Sequence, residues 1–524
     1  MQPVLINGQW RDSAGSDSFQ AENPATCELL PDVYPVSSWE DCEAALEAAS
    51  AAAEALWDLP VTILADFLEA YANRIEERAD ELVEMAHLET ALPKSPRLAD
   101  VELPRTTGQL RQAAAAARNG SWSLPTIDTK TGIRSVYRAI GPVCVLGPNN
   151  FPFAFGSISG GDFAAAIAAG NPVIAKANSS HPGTTRLFAE AAQLAAEETG
   201  LPAGTIQLLY RMPHADGERL VSDARIGATG YTGSRSAGLA LKTAADANGK
   251  PIYLELSSVN PIVVLPGALA ERGAELAEEF TGSCLMGTGQ FCTNPGLVIL
   301  IEGESTTAFI QAVTERFQEA PVGTLLSRSV QSSLQNSLSV LVDAGAELLA
   351  GNTSVEEDRC CFANTLLKIT GEQFVGAPET MQTEAFGNSS LLMVANSTDQ
   401  VCEAIDHLEG NLTGCIYSHT GGEDDTDYDR IAPRLRQRVG RLLNDKMPTG
   451  VAVSSAMNHG GPFPATGHPG FTAVGIPASL IRFSMLQSYD NVRPHRLPAI
   501  LQDANPTGET WRLIDEQWSR EGVS

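Results

Sequence analysis

The sequence of 524 residues predicts an α/β protein organised around a doubly wound parallel sheet. Three observations carry this. From Gly141 to Leu256, short apolar runs alternate with helix-length stretches, as happens when each strand is followed by a crossover helix. After Pro261 the alternation starts again and continues through the second half of the chain. Between the opening helices and the first of these sets, Ile133, Ser135 and Tyr137 alternate with Arg134, Val136 and Arg138, which suits an exposed β-ribbon better than an internal strand.

Taken in order, residues 1 to 36 read as short strands and turns, with Asn7-Gly8 a hairpin signal. Ser38, with Asp41 three residues on, caps an alanine-rich helix that runs to Trp57. Ile63, Phe67, Leu68, Tyr71 and Ile75 recur at helical spacing and predict one long helix over 62–91. A third helix, over 96–118, is interrupted or offset by Pro104 and stops at Asn119-Gly120. Strands follow at 142–146, 172–175, 205–209, 226–229 and 252–256. They are separated by a small-residue helix ending at Ala169 and by helices at 183–199, 216–222 and 234–247. The second set opens with a strand at 262–265, a helix ending near Met286 and a strand at 297–301. Residues 418–429 read as an acidic loop, and the Pro-, Asn- and Asp-rich tail from Ser488 shows little periodicity.

Composition narrows the function. The formal net charge is −28, which disfavours nucleic acid and anionic membranes, because both need clustered Lys and Arg. The nine cysteines are irregularly spaced and form no C-x-x-C pair, so neither a metal site nor a disulfide framework is predicted and a reducing compartment fits. The first residues lack the basic start and apolar core of a secretory signal, and no apolar run is long enough to span a membrane. The expectation is a cytoplasmic protein.

The residues suited to chemistry fall at strand ends, where an open α/β sheet binds its ligands. Asn149-Asn150-Phe151-Pro152 follows the strand at 142–146, and Lys176 closes the next one. Gly233-Ser234 precedes a helix, and Glu255 ends an otherwise apolar strand, where an unpaired carboxylate would be costly. Cys292 lies on a loop of small residues, after Gly287 and Gly289 and before Asn294-Pro295-Gly296, where a substrate can approach the thiol; Cys284, on the preceding helix, reads as a buried apolar residue.

Taken together, N-F-P at 150–152, Y-T-G-S at 231–234, L-E-L-S-S-V-N-P at 254–261, G-Q-F-C at 289–292 and E-A-F-G at 384–387 resemble, in content, order and spacing, the aldehyde dehydrogenase superfamily, over about residues 5 to 485. The resemblance implies an aldehyde dehydrogenase-like fold. A Rossmann-type cofactor domain would comprise 1–122 and 141–256, and an α/β catalytic domain 257–480. A β-ribbon oligomerisation element and C-terminal tail would comprise 123–140 and 481–524. It implies Cys292 as nucleophile, Asn150 with the Cys292 backbone N–H as oxyanion donors, and Glu255 as the base that hydrolyses a thioester. It further implies a nicotinamide cofactor held by Lys176, Gly233, Ser234 at a helix start, Glu384 and Phe386. Many NAD-preferring members carry Glu three residues after the lysine, whereas this chain has Ser179. With Arg211 as a second phosphate partner, the expectation is that NADP is accepted or preferred over NAD.

F-C-T-N-P-G at 291–296, H-G-G-P-F-P-A-T at 459–466 and F-T-A-V-G at 471–475 resemble the branch of 2,5-dioxopentanoate (α-ketoglutarate semialdehyde) dehydrogenases and an NADP-dependent fatty aldehyde dehydrogenase. The expected substrate is 2,5-dioxopentanoate. The alternative is a medium- or long-chain aliphatic aldehyde against apolar walls of Phe151, Phe155 and Phe291. The chain departs from that branch at 466–470, where T-G-H-P-G replaces a T-T-D-S-R-like segment and its arginine. Glu255 argues against an acylating enzyme that passes the acyl group to coenzyme A, and Cys292 with Glu255 argues against a catalytically silent binding protein on the same fold. The ribbon implies a homodimer or homotetramer, and no nucleic acid or membrane partner is expected.

Overall fold

Val143–Leu146 is the middle one of five parallel strands in a seven-stranded sheet of the computed structural model, which describes residues 1–355 and 358–523. Residues 356 and 357, inside the range expected for the catalytic domain, and 524, at the end of the tail, lie outside the described residues. The sheet order is Ile252–Glu255, Ala228–Thr232, Val143–Leu146, Val173–Lys176, Ile206–Leu209, Val4–Ile6, Gln9–Arg11. The first five strands are parallel, rich in β-branched residues and almost wholly buried, as a sheet covered by helices on both faces requires. The N-terminal hairpin adds an antiparallel edge, turning at Asn7 and Gly8, both with positive φ. From the central strand the chain moves outward through Val173–Lys176 and Ile206–Leu209, then crosses back to Ala228–Thr232 on the other side. The loops after Leu146 and Thr232 therefore diverge and leave a crevice at the carboxyl ends of the strands.

Ser38 and Asp41 form the expected reciprocal cap on Trp39–Trp57. The single helix expected over 62–91 is two, Val61–Glu77 and Ala79–Thr90, broken at Arg78. Arg78 leaves helical geometry and fixes the bend from outside, donating to Leu187 O at 3.2 Å and Glu190 Oε2 at 2.9 Å, so that both halves lie against Pro182–Thr199. The expected offset at Pro104 is present: a π-helical stretch, Lys94–Glu102, runs directly into the α-helix Leu103–Asn119. Pro104 sits in the first turn of that α-helix, where its missing N–H costs nothing, and Gly120 with φ 74° ends it.

A second seven-stranded sheet has the order Glu347–Ala350, Thr365–Thr370, Ser389–Ala395, Leu297–Ile301, Ile262–Val264, Asn411–Tyr417, Val439–Asn444. All its pairs but the first are parallel. The stretch 418–429 is not wholly loop, since a helix, Asp425–Arg436, begins inside it. Asp425 and Asp427 occupy the first helical turn, where negative charge is favourable, and Asp424 just before it accepts from the N–H groups of Gly267, Ala268 and His419.

The ribbon at Arg134–Ala139 is real and pairs antiparallel with Ser484–Tyr489 and Thr126–Ile127. The tail, which lacked periodicity, is nevertheless built in. Arg512–Ile514 and Gln517–Ser519 extend this sheet, and the buried Arg512 guanidinium donates to the carbonyls of Gln502, Asp503 and Glu521. Side-chain period fails to reveal such a segment because main-chain acceptors hold it. Among the described residues, no helix is long and apolar enough to cross a membrane.

Candidate active site

Six of the expected residues stand at the carboxyl ends of the first sheet. Asn150 follows Val143–Leu146, Lys176 ends Val173–Lys176, Arg211 lies two residues past Ile206–Leu209, Gly233 and Ser234 follow Ala228–Thr232, and Glu255 ends Ile252–Glu255. The second sheet brings Cys292 to them. Its loop lies between Pro266–Leu285 and Leu297–Ile301, and Gly287, Thr288 and Gly289 all have φ between 55° and 67°. Gly289 is required here, because a Cβ would come within 2.0 Å of Gly387 O. This backbone contact presses the cysteine loop against the E-A-F-G segment. Asn260 Nδ2 holds the other side, donating to Cys292 O and Asn294 O at 2.9 Å each, while Asn411 Oδ1 accepts from the N–H groups of Val259 and Asn260.

A third element completes the centre. Residues 465–467 zip onto the end of the Glu255 strand: Leu256 N donates to Ala465 O at 2.8 Å and Gly467 N to Leu254 O at 2.9 Å. This carries His459 inside, 2% exposed, with Nε2 3.4 Å from Cys292 Sγ and 3.1 Å from Glu255 Oε1. One imidazole nitrogen thus faces a thiol and a carboxylate at once, and the reactive atoms of all three residues lie within 4.8 Å of one another. When Nε2 carries the proton it donates to Glu255; when it does not, it accepts from the thiol. Glu255 Oε2 is buried without a hydrogen-bond partner. Burial, then the Glu255 carboxylate, pushes the Cys292 thiol up, and the Arg105 guanidinium opposes them.

Asn150 Nδ2 donates to Gln290 O at 3.0 Å, which fixes the amide beside the cysteine loop and leaves its second N–H available. The Cys292 backbone N–H donates to no group among the described residues. Arg97 and Glu102 buttress this corner. Arg97 Nη2 donates to Asn150 O at 2.9 Å, and Glu102 Oε1 accepts from Phe153 N and Ala154 N. Phe151 packs edge-on to both Phe155 and Phe291, with ring centroids 5.3 and 5.4 Å apart, and Phe155 lies 5.8 Å from the His459 ring. The three phenylalanines therefore form one wall of the cleft.

Arg105 stacks on that wall, with its guanidinium carbon 5.3 Å from the Phe155 ring centroid. Its Nη1 donates to Val451 O, but Nε and Nη2 are buried with no partner. Cys292 and Glu255 are among the charges this guanidinium senses.

The residues expected around a nicotinamide cofactor border the same cleft. Glu384 is half-buried and its carboxyl is pushed up to about 7, first by desolvation, against hydrogen bonds from the Ser258 N–H and the Ser257 hydroxyl. Glu384 and Phe386 line a cavity with Gly289, Phe291, Ser258 and Val259, and a neighbouring cavity extends past Glu384 to Arg235 on the helix that Ser234 caps. Gly233 is exposed, and a Cβ there would meet the Tyr231 hydroxyl at 2.7 Å. Lys176 is partly buried and its ammonium is held below the usual lysine range by burial, with Arg211 close enough to add to the effect. Arg211 is exposed, and no side-chain partner for it is present among the described residues. Ser179 is half-buried in the turn after Lys176. An acidic lining beside the thiol, a helix start and two cations at neighbouring strand ends suit a dinucleotide's ribose and phosphates.

Two site residues were not legible as such. His459 lies in the H-G-G-P-F-P-A-T segment, whose histidine was the available signal. Arg105 lies on a helix some 190 residues before the nucleophile, in a stretch with no motif.

The Aldehyde dehydrogenase family model matches residues 10–461, and the chain belongs to this family. It is an NAD(P)-dependent aldehyde oxidoreductase. Alpha-ketoglutaric semialdehyde dehydrogenase 2 of Azospirillum brasilense is 38% identical, over 96% of this chain and 97% of that protein. Alpha-ketoglutaric semialdehyde dehydrogenase of Acinetobacter baylyi is 34% identical, over 98% and 97%. The fold is shared with lactaldehyde dehydrogenase from Escherichia coli, with a TM-score of 0.80 and 23% identity over 93% of this chain and 98% of that one.

Proposed function

We propose that this enzyme oxidises the aldehyde of 2,5-dioxopentanoate to a carboxylate, with Cys292 as nucleophile, Glu255 as hydrolytic base and NADP accepted or preferred. The observation that carries the substrate reading is Arg105. A buried guanidinium with two unpartnered nitrogens is costly, and a carboxylate on the far end of a short aldehyde would satisfy it. Two relatives named for α-ketoglutaric semialdehyde support the same choice.

In this reading, Cys292 Sγ gives up its proton to the His459–Glu255 pair and attacks the aldehyde carbon. The developing oxyanion accepts from the free N–H of Asn150 Nδ2 and from the Cys292 backbone N–H. A nicotinamide cofactor, which Lys176, Ser234 and Glu384 would hold, would supply the hydride acceptor for oxidation to the thioester level. Glu255 Oε2, with no other partner, then takes a proton from the attacking water, and carboxylate leaves as the thiol reforms. The domain roles follow from this assignment: 1–122 with 141–256 binds the dinucleotide, and 257–480 presents Cys292.

His459 ties the two chemical steps together. His459→Ala is expected to lower kcat by about 10- to 100-fold and to move the acid limb of the pH–rate profile, because proton transfer loses its shuttle. A variant whose pH profile overlays the wild type would remove His459 from the mechanism. For the cofactor, Arg211→Ala is expected to cut kcat/KM for NADP about tenfold and leave NAD within a factor of two. Equal effects on both cofactors would leave Arg211 as a surface charge.

The ribbon supports a homo-oligomer of at least two chains, since Met485 and Leu486 on the strand Ser484–Tyr489 remain half exposed. Light scattering on the eluting protein checks it. The test of the substrate is kcat/KM over 2,5-dioxopentanoate, glutaraldehyde, and short and long alkanals with each cofactor. A clear preference for long alkanals would favour the phenylalanine wall as the specificity element instead.

A further inference from the structure

Outside the active centre, one pair of nucleophilic side chains stands apart. Cys27 and Cys360 are separated by more than three hundred residues, yet their sulfurs are 3.7 Å apart. Cys27 lies in the turn between Ser18–Asn23 and Glu28–Pro35, half-buried and with φ 56°. Cys360 is buried in the segment before Thr365–Thr370. The main chain holds both in place: Cys360 N donates to Pro24 O at 2.8 Å and Leu325 N donates to Cys360 O at 2.7 Å. From there a hydrogen-bonded path leads to the active centre. Leu326 N donates to Gln290 Oε1 at 2.8 Å, and Gln290 O is the acceptor for Asn150.

We propose that Cys27 and Cys360 form a reversible dithiol–disulfide pair that staples the hairpin of Ser18–Asn23 and Glu28–Pro35 to the strip of chain supporting the Cys292 loop. Both thiols sit in irregular segments rather than inside strands, so the approach from 3.7 Å to a bond of about 2.05 Å needs only local movement. Glu22 is also within reach of both sulfurs, which raises the question of a metal. Its carboxylate is already paired with the Arg328 guanidinium, which also donates to Cys27 O at 3.2 Å, so a cation would enter beside a fixed positive charge. Covalent chemistry between the thiols meets no such obstacle.

The oxidant is a hydroperoxide. Cys27 is the more accessible thiol, and its thiolate attacks the peroxide oxygen. The O–O bond breaks, leaving a sulfenic acid on Cys27 and, with hydrogen peroxide, water. Cys360 Sγ then attacks the Cys27 sulfur, the S–O bond breaks, and hydroxide departs with the Cys360 proton as a second water. Two electrons have passed from the thiols to the peroxide. A small dithiol returns both cysteines by exchange.

The test uses the full chain carrying Cys292→Ser, so that the nucleophile does not consume the oxidant. After a small excess of hydrogen peroxide and alkylation of free thiols, a non-reducing peptide map is expected to show one cross-linked species joining the Cys27 and Cys360 peptides. It should be lighter by two hydrogens and revert with dithiothreitol. It should be absent when Cys27→Ser is added, a change at a half-buried turn residue that keeps the test usable if Cys360→Ser fails to fold. Both cysteines remaining alkylatable, separate oxidation of each, or Cys27 joined to Cys361 instead would each overturn the proposal.

Discussion

Glu255→Gln is expected to give a single burst of reduced cofactor, approaching one equivalent per Cys292, followed by turnover at least about 10²- to 10⁴-fold slower than wild type. Acylation needs the thiolate, the oxyanion donors and the hydride acceptor, whereas hydrolysis needs a base for water. Glu255 Oε2 is buried and has no hydrogen-bond partner, so the proposed mechanism makes it the base for the water that attacks the thioester. Glutamine keeps the volume and can still bond to His459, now 3.1 Å from Oε1, so the loss reports proton transfer rather than collapse of the site. Cys292→Ala is the control and should show neither burst nor turnover. Rapid-mixing absorbance of the reduced cofactor separates the two. Steady turnover with no burst in Glu255→Gln would assign the water step to another group, and His459 would be first in line.

The comparison of Glu255 with His459 shows what a sequence can carry. Glu255 stood out because a carboxylate in an apolar strand is costly unless it works, and strand ends are where such sheets bind ligands. The strand and helix alternation likewise placed Asn150, Lys176 and Gly233 before any contact was known, because parallel strands repeat one simple pattern. His459 carried no comparable local signal. It reaches Cys292 only because residues 465–467 pair with 254–256 across two sheets, and that register is set by main-chain hydrogen bonds. The same reason hid the break at Arg78, whose partners lie on a helix more than a hundred residues away, and the ordered tail around Arg512. Local periodicity reports a side chain's own element and is blind to the element that meets it.

Arg105 is the extreme case, and replacing it should have the most selective effect. The sequence lacks an arginine in the 466–470 segment, and the proposed substrate site takes its cation from Leu103–Asn119 instead. Arg105→Met is expected to lower kcat/KM for 2,5-dioxopentanoate by about 10²- to 10³-fold, the cost of leaving a buried carboxylate without its partner, about 3–4 kcal/mol. Measured on the alkaline plateau, pentanal should change by less than about threefold, since it has no charge to lose. A second signature concerns the thiol. The Arg105 guanidinium opposes the burial and the Glu255 charge that push Cys292 up. A cation stabilises thiolate, so its loss raises the thiol pKa further, and the acid limb of the kcat/KM profile should move to higher pH for every aldehyde. Arg105→Lys should restore part of the charged-substrate preference and hold the limb nearer its original place. The two readouts are separable: loss of discrimination between charged and neutral aldehydes reports substrate recognition, and the shifted limb reports the thiol. Equal losses for 2,5-dioxopentanoate and pentanal on the plateau would show that Arg105 only packs against Phe155, and the carboxylate-bearing substrate would lose its support in this fold.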